Sequence, residues 1–414
     1  MKIFNHLKKK YWLIILSLII FSLRKYLLQN VQIGHNWDFT FPYTDSLFER
    51  IYLLSTYTWW DFALGLQQTL TIVHLIPNLL LSLSGIIFGA ILSTKLLLIA
   101  TIIFSTFSSF SFLNYINNSP NTSRYHNLPW AILYGMSPFL FSEIIGGSWY
   151  MWISYAFAPL YAQSFIELTS VKLSLKKLII FLISLISVIS SLQNFVLLEL
   201  ILLIYLVLTF RQQPQLKQII YRYIILHIWI ITINLYWILP LLTTFNQFST
   251  ATTSESFTGN FAQVKQANQT IRSLMDLTGY LNRNMYWFAL STWGQFGLII
   301  ASSITWITTI YTLYSRKANK KIYIWILILM ILVVIIKGNT PPLGQFTMWI
   351  FRNFPLMSLY RSPQHLMFAP AFILPIIFSF ISHHLPNHSS LPNKKYLTLI
   401  PWIIILLWTS AWWL

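Results

Sequence analysis

Runs of apolar residues long enough to cross a bilayer alternate with short polar breaks along nearly the whole chain. A helix rising about 1.5 Å per residue needs roughly 20 apolar residues to span the hydrocarbon core. On that measure the runs predict helices over 11–28, 91–113, 128–145, 148–168, 178–194, 195–210, 219–242, 286–314, 322–337, 365–382 and 396–414. That makes eleven crossings, of which 195–210 and 322–337 are short. The stretch 59–89 is also apolar, but His74, Pro77 and Asn78 interrupt it. It is expected as amphipathic helices lying in the outer interface. The fold class is therefore all-α, one polytopic membrane domain over 1–414 with about eleven transmembrane helices and outer interfacial helices.

Composition agrees with the pattern. The 414 residues are 56% hydrophobic and 9% charged, whereas soluble domains carry about 25% charge. The net charge of +18 does not form a nucleic-acid footprint, because the basic residues come as small clusters between spans. Seventeen of the 27 Lys and Arg fall in segments that alternate on one side: Lys2, Lys8, Lys9, Lys10; Arg124; Lys172, Lys176, Lys177; Arg211, Lys217, Arg222; Arg316, Lys317, Lys320, Lys321; and Lys394, Lys395. By the positive-inside rule that side is the cytoplasm. The protein is expected in the plasma (inner) membrane with a cytoplasmic N-terminus. No small-residue cleavage site follows the first run, and Arg24 and Lys25 sit where an uncleaved helix would leave the bilayer. Counting 59–89 as a span would place Lys172, Lys176 and Lys177 outside, against the rule. Cysteine is absent, which excludes disulfides and thiolate chemistry.

Candidate chemistry gathers in three long outer loops, 29–90, 243–285 and 338–364, expected to form the extracytoplasmic active-site face. The first contains "GHNWDFTFPYTDSLFERIY", with Asp38, Asp45 and Glu49 among aromatic residues. The last reads "KGNTPPLGQFTMWIFRNFPLMSLYRSPQHLMF", with Lys337, Arg352, Arg361 and His365. Acids come early and bases late. A carboxylate can take the proton of an attacking hydroxyl, and Arg or Lys in a partly dehydrated site can stabilise a departing phosphate.

The arrangement resembles the polyprenyl-phosphate-dependent membrane glycosyltransferases of the GT-C fold: one N-terminal helix, a large outer loop with an acid and interfacial helices, then alternating spans. In particular "ILYGMSPFLFSEIIGGSWYMWISYAFAPLY" (132–161), "LYWILPLL" (235–242) and "KGNTPPLG…FR…RSPQHLMF" (337–368) look like the transmembrane part of arabinofuranosyltransferase D-like bacterial proteins. The resemblance implies an enzyme that transfers a sugar, with inversion, from a polyprenyl-phosphate-linked donor to an extracytoplasmic glycan, lipid or protein acceptor, in contact with membrane lipids and with no nucleic acid. Asp38, about ten residues beyond the first helix, takes the place of the catalytic base, supported by Asp45 and Glu49. Arg361, with Arg352, His365 and Lys337, is expected at the donor phosphate, and Trp37 and Trp149 against sugar or acceptor. Larger members continue into a carbohydrate-binding region that has no counterpart before Leu414, so acceptor recognition is either minimal or supplied from elsewhere.

Each residue also has a plainer role. Asp38 can cap a helix or solvate a loop; Thr44 or Asp45 can be an N-cap; Arg361, Arg352, Lys337 and Lys95 can be interface anchors. No cofactor is required. A divalent cation on the three acids stays an alternative, although no Ca or Mg loop pattern is present. Glu199 lies within a span and is expected to hydrogen-bond Gln193 or Asn194. His383, His384 and His388 are expected in a cytoplasmic loop without a metal site. The rival functions are a transporter or flippase of lipid-linked sugars and a non-catalytic membrane scaffold.

Overall fold

A computed structural model describes residues 23–28, 59–60, 66–67, 73, 75–117, 124–145, 149–170, 174–210, 216–239, 242, 300, 303–310, 320–336, 343–353, 363–388 and 400–413. These are almost all helical. The helices are α1 (Arg24–Leu28), α2 (Leu75–Asn117), α3 (Leu128–Gly135), α4 (Pro138–Ile145), α5 (Trp149–Ser170), α6 (Leu175–Ile189), α7 (Leu192–Phe210), α8 (Leu216–Ile233), α9 (Lys320–Ile336), α10 (Gly344–Asn353), α11 (Phe368–His388) and α12 (Ile400–Trp413). Residues 303–310 are helical as well. Among the described residues four helical stretches are long and apolar enough to cross a membrane: Ile91–Asn117, Leu192–Phe210, Leu216–Ile233 and His365–His383. The protein thus has the build of an all-α, multi-pass membrane protein.

The order of helices follows the apolar runs, and the departures have local causes. The predicted break near residue 90 is a kink within α2 at Gly89, whose φ of 75° suits glycine. The predicted helix 128–145 divides into α3 and α4 because Pro138 cannot supply the amide that would continue α3. The boundary placed between 194 and 195 lies at Ser190–Ser191, where the Ser191 amide turns back to the Val188 carbonyl at 3.2 Å. The early part of 59–89 is not interfacial helix. Trp59–Trp60 (β1) and Leu66–Gln67 (β2) pair antiparallel, Trp59 opposite Gln67. His383, His384 and His388 belong to the last turns of α11 rather than to a loop.

The core sits where α3, α4, α5 and α11 meet. All of α3 is buried, as is every residue from 365 to 382. Around this centre stand α2, α6, α7, α9 and α12. Gly135 permits the closest approach: a methyl group there would lie 2.1 Å from Thr106 Oγ1 and 3.0 Å from the Ile102 carbonyl. Outward faces carry Leu80, Ile87, Ile183, Ile224, Ile228 and Met330, a surface that hydrocarbon covers better than water does.

Side-chain bonds sort the helix ends into two groups. At one end Asn127 Oδ1 receives the Asn117 amide at 2.9 Å, the Ser379 hydroxyl at 2.9 Å and His383 Nε2 at 2.8 Å. Lys321 Nζ donates to the Ile116 carbonyl beside them, at 3.1 Å. This joins the end of α2, the turn Arg124–Asn127, the start of α9 and the end of α11. The opposite ends of the same helices gather at the other pole.

Candidate functional site at one end of the helix bundle

The second pole is assembled from helix ends distant in sequence. Lys95 donates to the Leu27 carbonyl at 2.8 Å, so the C-terminus of α1 docks beside α2, six residues past its kink. A lysine at the unsatisfied carbonyls of a helix C-terminus is favourable for charge and hydrogen bonding alike. The Tyr150 phenol donates to Asn78 Oδ1 at 2.9 Å, which seats the first turns of α2 on the start of α5. Ser190 Oγ donates to the Tyr150 carbonyl at 3.0 Å, bringing in the end of α6. On the far side Thr347 Oγ1 donates to the Val334 carbonyl at 2.9 Å, so α10 leans on the end of α9.

Glu143 and His365 meet at this pole. Glu143 occupies the last turns of α4, in the otherwise apolar sequence PFLFSEII. His365 lies in the short 3-10 turn Pro363–Met367 that leads into α11. Glu143 Oε1 and His365 Nδ1 are 3.7 Å apart, and the side chains are 2% and 10% exposed. That is ion-pair distance, longer than a hydrogen bond. A buried carboxylate this close acts on the ring through charge rather than through a hydrogen bond. Close by in the fold, α7 packs on the same turn. Its first turn carries Asn194, fully buried, with neither amide atom hydrogen-bonded among the described residues. A buried amide without partners costs free energy.

Of the residues expected from the sequence, Asp38, Asp45, Glu49, Trp37, Lys337 and Arg361 lie outside the described residues. Arg352 is on α10, although nothing is described of its side chain. His365 is at the pole, two residues into the turn that begins at Pro363. Trp149 is at the pole too, but it is 1% exposed and its ring lies 3.8 Å from that of Tyr150. So placed, it is part of the packing and offers no open face. Glu199 does not bond Gln193 or Asn194: its oxygens meet Tyr161 and His227 on two other helices. Glu143 was not singled out from the sequence, though a carboxylate inside an apolar run is itself a signal of special placement. Among the described residues no group of three or more His, Asp and Glu is placed to hold a metal ion.

Fold and site together define an all-helical, membrane-type protein with a buried acid–imidazole pair at one pole. No family model, curated protein or solved structure matches the chain.

Proposed function

We propose that this protein is a GT-C-type membrane glycosyltransferase that works at the pole holding Glu143 and His365. The observation that carries the reading is this buried pair, because His365 ends the segment in which Arg361 was expected to meet a phosphate. An imidazole and a guanidinium four residues apart in sequence, His365 and Arg361, are groups suited to the phosphate of a lipid donor. Supporting it, the Lys95–Leu27 bond holds the end of α1 at the same pole, and Asp38 follows Leu28 by ten residues of sequence. In the proposed reaction Asp38 takes the proton of the acceptor hydroxyl as its oxygen attacks the anomeric carbon. The bond to polyprenyl phosphate breaks on the opposite face, with inversion. The leaving phosphate is met by Arg361, His365 and, as helpers, Arg352 and Lys337. Glu143 is a positioning residue for His365. Eleven crossings with an extracytoplasmic catalytic pole complete the reading.

Its test is binding of polyprenyl phosphate to the purified protein in lipid nanodiscs, followed by native mass spectrometry. Arg361→Ala and His365→Ala should each weaken binding by about tenfold or more, and Arg361→Lys by less, since the charge stays while the planar fork is lost. Wild-type binding in all three variants would remove the phosphate site. A transporter of lipid-linked sugars is the second reading, and one observation favours it: the ionisable pair Glu199 and His227 joins two helices of membrane-crossing length away from their ends, where such groups commonly mark transport pathways.

A further inference from the structure

Three helices meet at Glu199. From α5 the Tyr161 hydroxyl donates to its Oε1. From α8 the imidazole of His227 places Nε2 at 3.1 Å from its Oε2. The other ring nitrogen, Nδ1, lies 2.9 Å from the backbone carbonyl of Tyr223, one turn earlier in α8. A carbonyl oxygen only accepts, so Nδ1 must carry a hydrogen. Nε2 then cannot face a bare carboxylate oxygen with its lone pair, and a proton has to lie between Nε2 and Oε2. Whether drawn as imidazolium with carboxylate or imidazole with carboxylic acid, the pair holds one exchangeable proton and is neutral overall.

The surroundings make that proton consequential. Phe165 of α5 stands edge-on to both Tyr223 and His227, at 86° and 87°, and Phe181 of α6 stacks on Tyr161 at 5.4 Å. The titratable groups facing the pair are Tyr161 from α5 and Tyr223 from α8 itself. The next carboxylate along α5, Glu167, is engaged by Lys177 at 2.9 Å. Nothing else described compensates a charge left at Glu199. Meanwhile α8 buries only Ile219, Leu226 and Ile230 and turns Ile220, Ile224, Ile228 and Ile231 outward. In lipid, apolar contact adds little hydrophobic driving force between helices, so polar bonds and close packing decide whether a peripheral helix stays docked. The side chains of His227 and Glu199 remain 29% and 15% exposed, so the pair lies at the edge of the helix packing.

We propose that Glu199 and His227 form a proton-binding site within the membrane domain, and that the proton it holds latches α8 onto α5 and α7. Loss of the proton leaves an uncompensated negative charge in a low-dielectric setting and sets two lone pairs against each other, so α8 disengages. The site does not depend on the chemistry at the pole: it serves an enzyme as a gate for a lipid substrate, or a transporter as its coupling site.

Because the chain has no cysteine, spin labels can be placed at Ile183→Cys on α6 and Ile224→Cys on α8, both exposed. Distances between them are read by pulsed electron resonance on the full chain in lipid nanodiscs, from about pH 5 to about pH 10. The expected result is two distance populations that exchange through a single-proton transition. Glu199→Gln, which cannot ionise, should give one distance at every pH. Tyr161→Phe keeps the pair and removes one hydrogen bond to Glu199, so the transition should persist with its slope unchanged and its midpoint displaced. A pH-independent distance in the wild type, or a transition that survives in Glu199→Gln, overturns the proposal. Should Glu199→Gln not fold, Tyr161→Phe decides: an unmoved midpoint overturns it.

Discussion

Tyr134 and Tyr155 lie ring on ring, 4.1 Å apart and 7° from parallel, and each donates its hydroxyl to the other's backbone carbonyl, at 2.7 and 3.0 Å. Both carbonyls precede a proline by four residues: Pro138 follows Tyr134 and Pro159 follows Tyr155. In an unbroken helix those carbonyls would accept from the amides of residues 138 and 159, which proline lacks. The Tyr155 phenol supplements a 3.3 Å bond from the Ser137 amide to Tyr134, and the Tyr134 phenol takes the place of the donor missing at position 159. Membrane interiors leave no water to do this.

Tyr134→Phe should therefore lower stability by about 1 kcal/mol or more, the cost of an orphaned buried carbonyl. Pro159→Ala restores the helix's own amide at that carbonyl. In the Pro159→Ala background, Tyr134→Phe should cost clearly less. Thermal unfolding in detergent of the two single variants and the double variant gives the coupling; additive effects would separate the tyrosine from the proline.

Gly135 tests the packing of α3 on α2. Gly135→Ala should destabilise by roughly 1–3 kcal/mol, the usual range for overpacking, since its methyl would fall 2.1 Å from Thr106 Oγ1. Thr106→Ala should recover part of the loss and not all of it, because the Ile102 carbonyl and Thr106 amide remain at 3.0 Å. Equal stability of Gly135→Ala and wild type would contradict this packing.

At the opposite pole His126 sits in the turn before α3, its ring 5.5 Å from that of His383. Burial lowers its pKa from the ordinary 6.5, so the folded protein favours neutral imidazole. Above about pH 6.5 neither state is protonated and nothing is lost. As pH falls below that value the unfolded chain binds the proton first, and stability declines until the lowered native pKa is passed. His126→Gln should make the acid-side fall in Tm shallower. An unchanged pH profile would mean that His126 does not contribute to it.

Much of this architecture is legible in the sequence, because helices in lipid must be both apolar and long. The helical stretches around 91–117, 192–210, 216–233 and 365–383 stand out on that ground alone. What is not legible comes from contacts between distant segments. Nothing near Glu199 in the chain points to His227 on α8 or Tyr161 on α5, so Gln193 and Asn194 were the natural partners to expect. Glu143 and His365 likewise come together only through the packing of α4 against the turn before α11. Trp149 shows the converse: expected against sugar or acceptor, it is buried with its ring against that of Tyr150. The pairing of Trp59–Trp60 with Leu66–Gln67 is not legible because apolar and aromatic residues suit a short strand as readily as an interfacial helix.

Orientation is checked with the cysteine-free chain. Single cysteines at Ser46, Ser254 and Ser358 should react with an impermeant thiol reagent in intact cells, as expected for three loops on the outer face. Labelling only after permeabilisation would invert the topology and move the proposed catalytic pole to the cytoplasmic side.

The proposed glycosyl transfer from a lipid phosphate is measured most directly as release of polyprenyl phosphate by the purified full chain in nanodiscs, given a panel of polyprenyl-phosphate sugars and hydroxyl acceptors. Acceptor-dependent release by the wild type is expected. In Asp38→Asn, which keeps its shape without basicity, turnover should fall by roughly 10²-fold while donor binding persists. Full turnover in Asp38→Asn would contradict the assignment of the base, and a wild type that binds the donors, releases no phosphate and instead moves them between leaflets would contradict the enzyme and establish a transporter.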